Sequence, residues 1–152
     1  MEFLHRTWAE IDIDALIHNF SVIKRHAAGA RLMAIVKADA YGHSARNTAP
    51  VLEEQGADAF GVSNIEEAIT LRGCGITRPI LILGYTPVSM AAQLYLNDIT
   101  QCVYSAEYAA ALSERACIDG VKIKIHIKLD TGMSRIGFDC RDSSLSGISQ
   151  AI

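Results

Sequence analysis

Residues 78–105 read RPILILGYTPVSMAAQLYLNDITQCVYS. A short, continuous apolar run (RPILILGYT) gives way to a segment of helical period, PVSMAAQLYLN, with Pro87 near its start. A second apolar run, ITQCVYS, follows at once. Strands without polar alternation are buried on both faces. A helix between two of them is the crossover that a parallel pair requires. One strand–helix–strand unit therefore predicts a parallel α/β sheet with right-handed connections.

The same rhythm extends both ways. Upstream, IDALIHNFSVIKRHA spaces Leu16, Phe20 and Ile23 as one helix face, with Asp14 as the candidate N-cap. RLMAIVKA reads as a strand and ARNTAPVLEEQGA as a helix stopped by Gly56. DAFGVS reads as a strand, and NIEEAITLRGCG as a helix capped by Asn64 and stopped at Gly73/Gly75. Downstream, AEYAAALSERACIDG is a helix, VKIKIHIKLD a strand and RDSSLSGISQAI a last helix. Five strands follow the first helix, each trailed by a helix. An open doubly wound sheet and a (β/α) barrel both satisfy this pattern, and both collect chemistry at the C-terminal strand ends.

The strand VKIKIHIKLD breaks the buried pattern. It sets Val121, Ile123, Ile125, Ile127 and Leu129 against Lys122, Lys124, His126, Lys128 and Asp130. Such alternation means either a polar row facing a polar barrel interior or a strand at a sheet edge.

Composition narrows the function classes. The 152 residues suit one domain, residues 1–152; half are hydrophobic, and 14 basic against 17 acidic side chains give a net charge of −3. With no basic block, nucleic acid is not the expected partner. No apolar run approaches membrane-span length and MEFLHRTWAEIDID lacks a signal-peptide pattern, so a cytoplasmic location is expected. Cys74, Cys102, Cys117 and Cys140 have neither metal-ligand nor disulfide-scaffold spacing, and they read as small packing residues. The five histidines show no metal-ligand spacing, and GCGITR fails as a dinucleotide fingerprint at Arg78.

Two clusters carry candidate chemistry. In RLMAIVKADAYGHSA (31–45), strand parity places Met33, Ile35, Lys37 and Asp39 on one face. Lys37 is then either a strand surfacing into water or a partly desolvated amine able to attack a carbonyl. Tyr41 is either a packed aromatic or a phenol donating to a ligand anion. In KLDTGMSRIGF (128–138), Asp130–Thr131–Gly132 leaves the strand as a tight turn and Arg135 follows on the loop. That arginine is either solvated or a guanidinium held for a carboxylate or phosphate.

AIVKADAYGHSA and HIKLDTGMSRIGF together resemble the two signature stretches of the alanine racemase family, and RTWAEIDIDALIHNF resembles its N-terminal segment. The resemblance runs through essentially the whole chain. It implies a pyridoxal 5′-phosphate (PLP) isomerase on a (β/α)₈ TIM barrel that interconverts L- and D-alanine and supplies D-alanine for peptidoglycan. By motif match, Lys37 would carry the PLP aldimine and serve as one of two catalytic acid/bases. Tyr41 would bind the cofactor phosphate. Arg135 would contact both cofactor and substrate carboxylate, and Lys128 matches a position often N-carboxylated. Ser134 stands where glycine is common. The family's homodimer supplies the second base, a tyrosine of the partner's C-terminal β domain. Against that pattern the chain reads as about five of eight β/α units without the C-terminal β domain. Alone, it is expected to be inactive and to self-associate through open strand edges. A serine racemase of the same family, a non-catalytic PLP-binding barrel and a cofactor-free interaction module are the alternatives.

Overall fold

The structure, a computed structural model, describes residues 7–141 and 146–151. His5 and part of the expected last helix lie outside them. Helix α1 (Ile13–His26) leads into β1 (Met33–Ile35), the single turn α2 (Lys37–Tyr41) and α3 (Ala45–Glu54). Then come β2 (Ala59–Val62), α4 (Ile65–Gly73), β3 (Ile80–Ile82), a 3₁₀ turn at Val88–Met90 with α5 (Ala91–Leu96), and β4 (Ile99–Val103). Helix α6 (Ala106–Asp119), β5 (Ile125–Ile127), β6 (Leu129–Asp130), β7 (Phe138–Asp139) and α7 (Ser146–Ala151) complete the order.

The five main strands pair in parallel and in chain order, β1-β2-β3-β4-β5. A doubly wound sheet starts in its middle and reverses direction at a switch point. This sheet never reverses. The order is that of consecutive barrel staves, which resolves the two architectures left open by the sequence in favour of a partial (β/α)₈ barrel.

Register separates the two faces. Phe60, Ile80 and Ile99 are aligned across neighbouring strands, as are Val62, Ile82 and Gln101. These rows are buried beneath the helices and form the core with Leu52, Leu71, Leu94 and Leu112. The opposite face carries Ile35, Gly61, Leu81 and Thr100 in one row and Cys102 with His126 in another. Gly61 makes room there, because a Cβ would lie 2.5 Å from Ile35 Cδ1. Met33 and Ile35 on this inner face remain 40% and 38% exposed.

β5 is both a boundary of the described sheet and an inward polar row. The pairing of His126 with Cys102 turns the alternating polar positions inward, while Ile123 and Ile127 pack against the helix-side core. Both readings of VKIKIHIKLD therefore hold at once. Its regular pairing is shorter than expected, beginning only at Ile125.

Several local expectations are corrected. Asp12, not Asp14, caps α1, accepting from Ala15 N at 2.9 Å. Phe20 is buried and Leu16 partly so, but Ile23 is 57% exposed. The last turn of α1 instead directs Lys24 to the carbonyls of Gln55 and Gly56. Cys102 is buried, whereas Cys117 and Cys140 are exposed and are not packing residues. Asn64 does cap α4, and its side chain accepts from Glu67 N at 2.9 Å.

The N-terminal ends of β3 and β4 are fastened by two charged side chains. The Arg72 guanidinium donates to the carbonyls of Ile76, Arg78, Asn97 and Asp98. Glu53 accepts from the backbone N–H groups of Thr77 and Arg78 and from the Thr77 hydroxyl. With that end held, the opposite ends carry the loops that matter.

Candidate active site

Where β1 stops, the chain reverses hand. Val36 still donates to Gly61 O at 2.9 Å and is buried, but Ala38, Asp39, Ala40 and Tyr41 all have φ between 50° and 55°. Ala40 N bonds Val36 O, and Gly42 N bonds Ala38 O. This is a left-handed helical turn made of L-residues, and each such residue costs roughly 1–2 kcal/mol. Something outside the turn must hold it. Strand parity cannot continue through it, so Asp39 does not extend the Met33–Ile35 face as expected. Its carboxylate instead accepts from Ala45 N at 2.7 Å, at the start of α3.

The second anchor is Glu67, from the first turn of α4. Its Oε1 accepts from Ala38 N at 2.8 Å, and its Oε2 accepts from both the N–H and the hydroxyl of Ser63 at 2.8 Å. The stitching continues around the rim. A Cβ on Gly84 would lie 2.6 Å from Ser63 O, so only glycine lets the loops after β2 and β3 approach this closely. Gln101 donates to Gly84 O at 2.8 Å, and the Tyr108 hydroxyl donates to Thr86 O at 2.7 Å. Tyr104 stacks on Tyr108 with centroids 5.0 Å apart. Burial pushes the Tyr108 phenol up to about 12.

Lys37 sits half-buried at the head of the left-handed turn, with Tyr41 at its far end, 60% exposed. Lys128 lies half-buried between β5 and β6 on the inward side. Burial raises the Cys102 thiol pKa, and the Lys128 ammonium pulls it back down, which places that charge beside the inner face.

The following loop is organised by Asp130, whose Oδ1 accepts from Gly132 N and Ser134 N, each at 2.9 Å. These backbone bonds hold the Asp130 carboxyl below its ordinary range. Ser134 has φ 56°, a left-handed position that explains why glycine suits it. Arg135 is exposed on this loop. Among the described residues, the side chains of Lys37, Tyr41, Lys128 and Arg135 make no hydrogen bond or ion pair to protein.

Lys37 and Tyr41 are thus brought together by one turn, and Lys128 and Arg135 by one loop. The two pairs stand four strand spacings apart, roughly 19 Å along the sheet. The sequence reading missed Glu67 and Asp39. Glu67 left a signal in NIEE: asparagine at the N-cap with glutamate three residues on is the capping-box spacing.

Residues 11–151 match the family described as "Alanine racemase, N-terminal domain". The chain belongs to this family. An alanine racemase of Clostridium perfringens strain SM101 is 48% identical over 141 residues, covering 93% of the chain. The chain spans 36% of that relative's length. Among solved structures, an alanine racemase of Clostridium difficile 630 in complex with cycloserine superposes with a TM-score of 0.89 at 40% identity, over 99% of the chain and 42% of its own. A histidine racemase from Leuconostoc mesenteroides superposes at 0.82 with 33% identity, over 90% of the chain and 37% of its own.

Proposed function

We propose that the natural protein carrying this sequence is a PLP-dependent racemase that interconverts L- and D-alanine, with Lys37 as the amine that holds the cofactor. The observation that carries this reading is the placement of Lys37. It is a primary amine with no protein partner among the described residues, at the C-terminal end of the first stave, on a backbone turn that must be held against its own strain.

The donor set fits the cofactor. Lys37 offers an amine to an aldehyde, Tyr41 a phenol to a phosphate, and Arg135 a guanidinium to a carboxylate or phenolic oxygen. Bound PLP supplies the electron sink that lets the Cα–H bond of an amino acid ionise. Lys37 Nζ is the amine that would hold the cofactor, and when free it would take a proton from one face of the substrate Cα or return it there. Tyr41 anchors the phosphate end, and Arg135 receives the substrate carboxylate.

The free-amine form of Lys128 can add carbon dioxide, releasing a proton and leaving a carbamate that orients the Arg135 guanidinium. The opposite face of Cα requires a second proton donor, which a homodimeric partner would supply. Alanine is proposed as substrate because the curated relatives at this identity are alanine racemases. The same arc in a histidine racemase calls for an assay across a panel of amino acids.

The test is Lys37→Ala in the full natural protein. Conversion of L- to D-alanine and the visible absorbance of the bound cofactor are both expected to disappear. Wild-type turnover by this variant would refute the reading.

A further inference from the structure

We propose that Glu67 is a positioning residue for Lys37, acting through the Ala38 peptide. The inference rests on the reading of Lys37 as the cofactor amine and adds what holds that amine in place.

Glu67 is the third residue of α4, behind its cap Asn64. A glutamate there ordinarily turns back to satisfy an orphan N–H at its own helix start. Here Oε2 reaches back one residue past the cap, accepting from Ser63 N and Ser63 Oγ at the end of the β2 loop. Oε1 has no role in α4, and it leaves the helix to accept from Ala38 N at 2.8 Å, across the gap between the first two β/α loops.

That N–H lies in the peptide joining Lys37 to Ala38, so a bond to it fixes the orientation of the plane from which the Lys37 side chain springs. The Ala38 N–H is also the first donor of a left-handed turn, an orphan by position. Without an acceptor, the φ of +50° at Ala38 has less to oppose its return to the ordinary right-handed region. Asp39 and the buried Ala40 fasten the later part of the turn, and among the described residues Glu67 is the side chain bonded at the lysine end. Because Ser63 O in turn packs against Gly84, the same carboxylate references Lys37 to the loops after both β2 and β3.

A positioned nucleophile loses rate steeply when its geometry loosens by an ångström, even with the fold intact. The experiment compares Glu67→Gln with Glu53→Gln in the full natural protein. Glu53 is a matched control: it also bridges two segments through backbone N–H groups, but at the opposite end of the sheet. A glutamine at 67 can accept from Ala38 or from Ser63, not both, since its other terminal atom is a donor.

The readout is the rate of covalent capture of PLP, followed by borohydride trapping and peptide mass. It is set beside the affinity for pyridoxamine 5′-phosphate, which fills the same site without reacting. E67Q is expected to slow capture roughly tenfold or more with pyridoxamine phosphate affinity nearly unchanged. E53Q is expected to lower thermal stability but capture at the wild-type rate.

Capture by E67Q at the wild-type rate, or equal slowing by E53Q, would overturn the proposal. Hydrogen exchange of the Ala38 amide in the unmodified protein gives a test that needs no variant. Strong protection is expected, and exchange as fast as an open loop would overturn it. Labelling of K37A at the wild-type rate would be a different failure, refuting the reading of Lys37 itself.

Discussion

The C-terminal ends of the first four staves and the loop that follows the fifth solve the same problem in opposite ways. From β1 to β4 the strand ends are tied to their neighbours: Glu67 reaches Ala38 between β1 and β2, Ser63 O packs against Gly84 between β2 and β3, and Gln101 and Tyr108 reach Gly84 and Thr86 between β3 and β4. After Lys128, whose N–H still reaches Val103 O, the bonds among the described residues are internal to the loop. Asp130 folds the segment onto itself, and Asp139 pairs with Arg141 two residues away. The first region is a cross-linked wall with Lys37 at its edge, and the second is a loop with Arg135 exposed on it. On the proposed function the wall would give covalent attachment a rigid base, and the loop would offer its guanidinium to a small carboxylate.

The largest effect should come from breaking the loop's proposed link to the inner face. Lys128→Ala in the full natural protein is expected to lower turnover by about 10²–10³-fold, the usual loss when a charge-positioning group is removed from a site. A small added carboxylate should restore part of it, because it replaces the anion and not the lysine. Kinetics with and without acetate check this, and unchanged turnover in the variant would disconnect Lys128 from the chemistry.

Next in size is a test of the wall. Gly84→Ala forces a methyl against Ser63 O and is expected to cost about 1–3 kcal/mol in urea unfolding, as overpacking does. An equivalent substitution at exposed Gly132, which has open space around it, separates crowding from the conformational demand of its positive φ.

Smallest, but cleanest in sign, is the response to pH. Asp139, held to about 2 by its hydrogen bonds to Arg141, and Asp130, held low by Ser134 N and Gly132 N, both have depressed folded-state values. Their contribution is complete above the unfolded value of about 4 and is lost as pH falls toward 2. Tyr108 works in the other direction. Its raised value keeps its contribution intact below about 10, and that contribution is lost as pH climbs through about 12. Amide chemical shifts should therefore show the loop yielding to acid while the wall around Tyr108 yields to alkali. Simultaneous loss of both at one end of the scale would contradict the division.

Much of the architecture was legible. Continuous apolar runs such as ILI at β3, the helix stop at Gly56 and the N-cap at Asn64 are local signals with local causes. Strand order was not legible, because the choice between a reversing and a consecutive sheet is made by which strand edges meet. The site was half legible. Lys37 and the 128–135 stretch stand out by residue type, whereas the left-handed turn does not. In ADAY only Asp39 is a residue type that tolerates positive φ; the turn is held by the local bond of Asp39 to Ala45, by the burial of Ala40, and by Glu67, which reaches Ala38 only once β1 and β2 have paired. Asp12 over Asp14 shows the same limit on a smaller scale, since either aspartate could cap a helix whose first turn is fixed elsewhere.

On the proposed function, the amine at the head of that turn, and not the one on the fifth strand, takes the cofactor. The direct measurement is borohydride reduction of the full natural protein after loading with PLP, followed by peptide mapping. The expected result is a single pyridoxyl label on the peptide containing Lys37, with Lys128 unlabelled. A label on Lys128, or one spread over several lysines at low yield, would contradict the account.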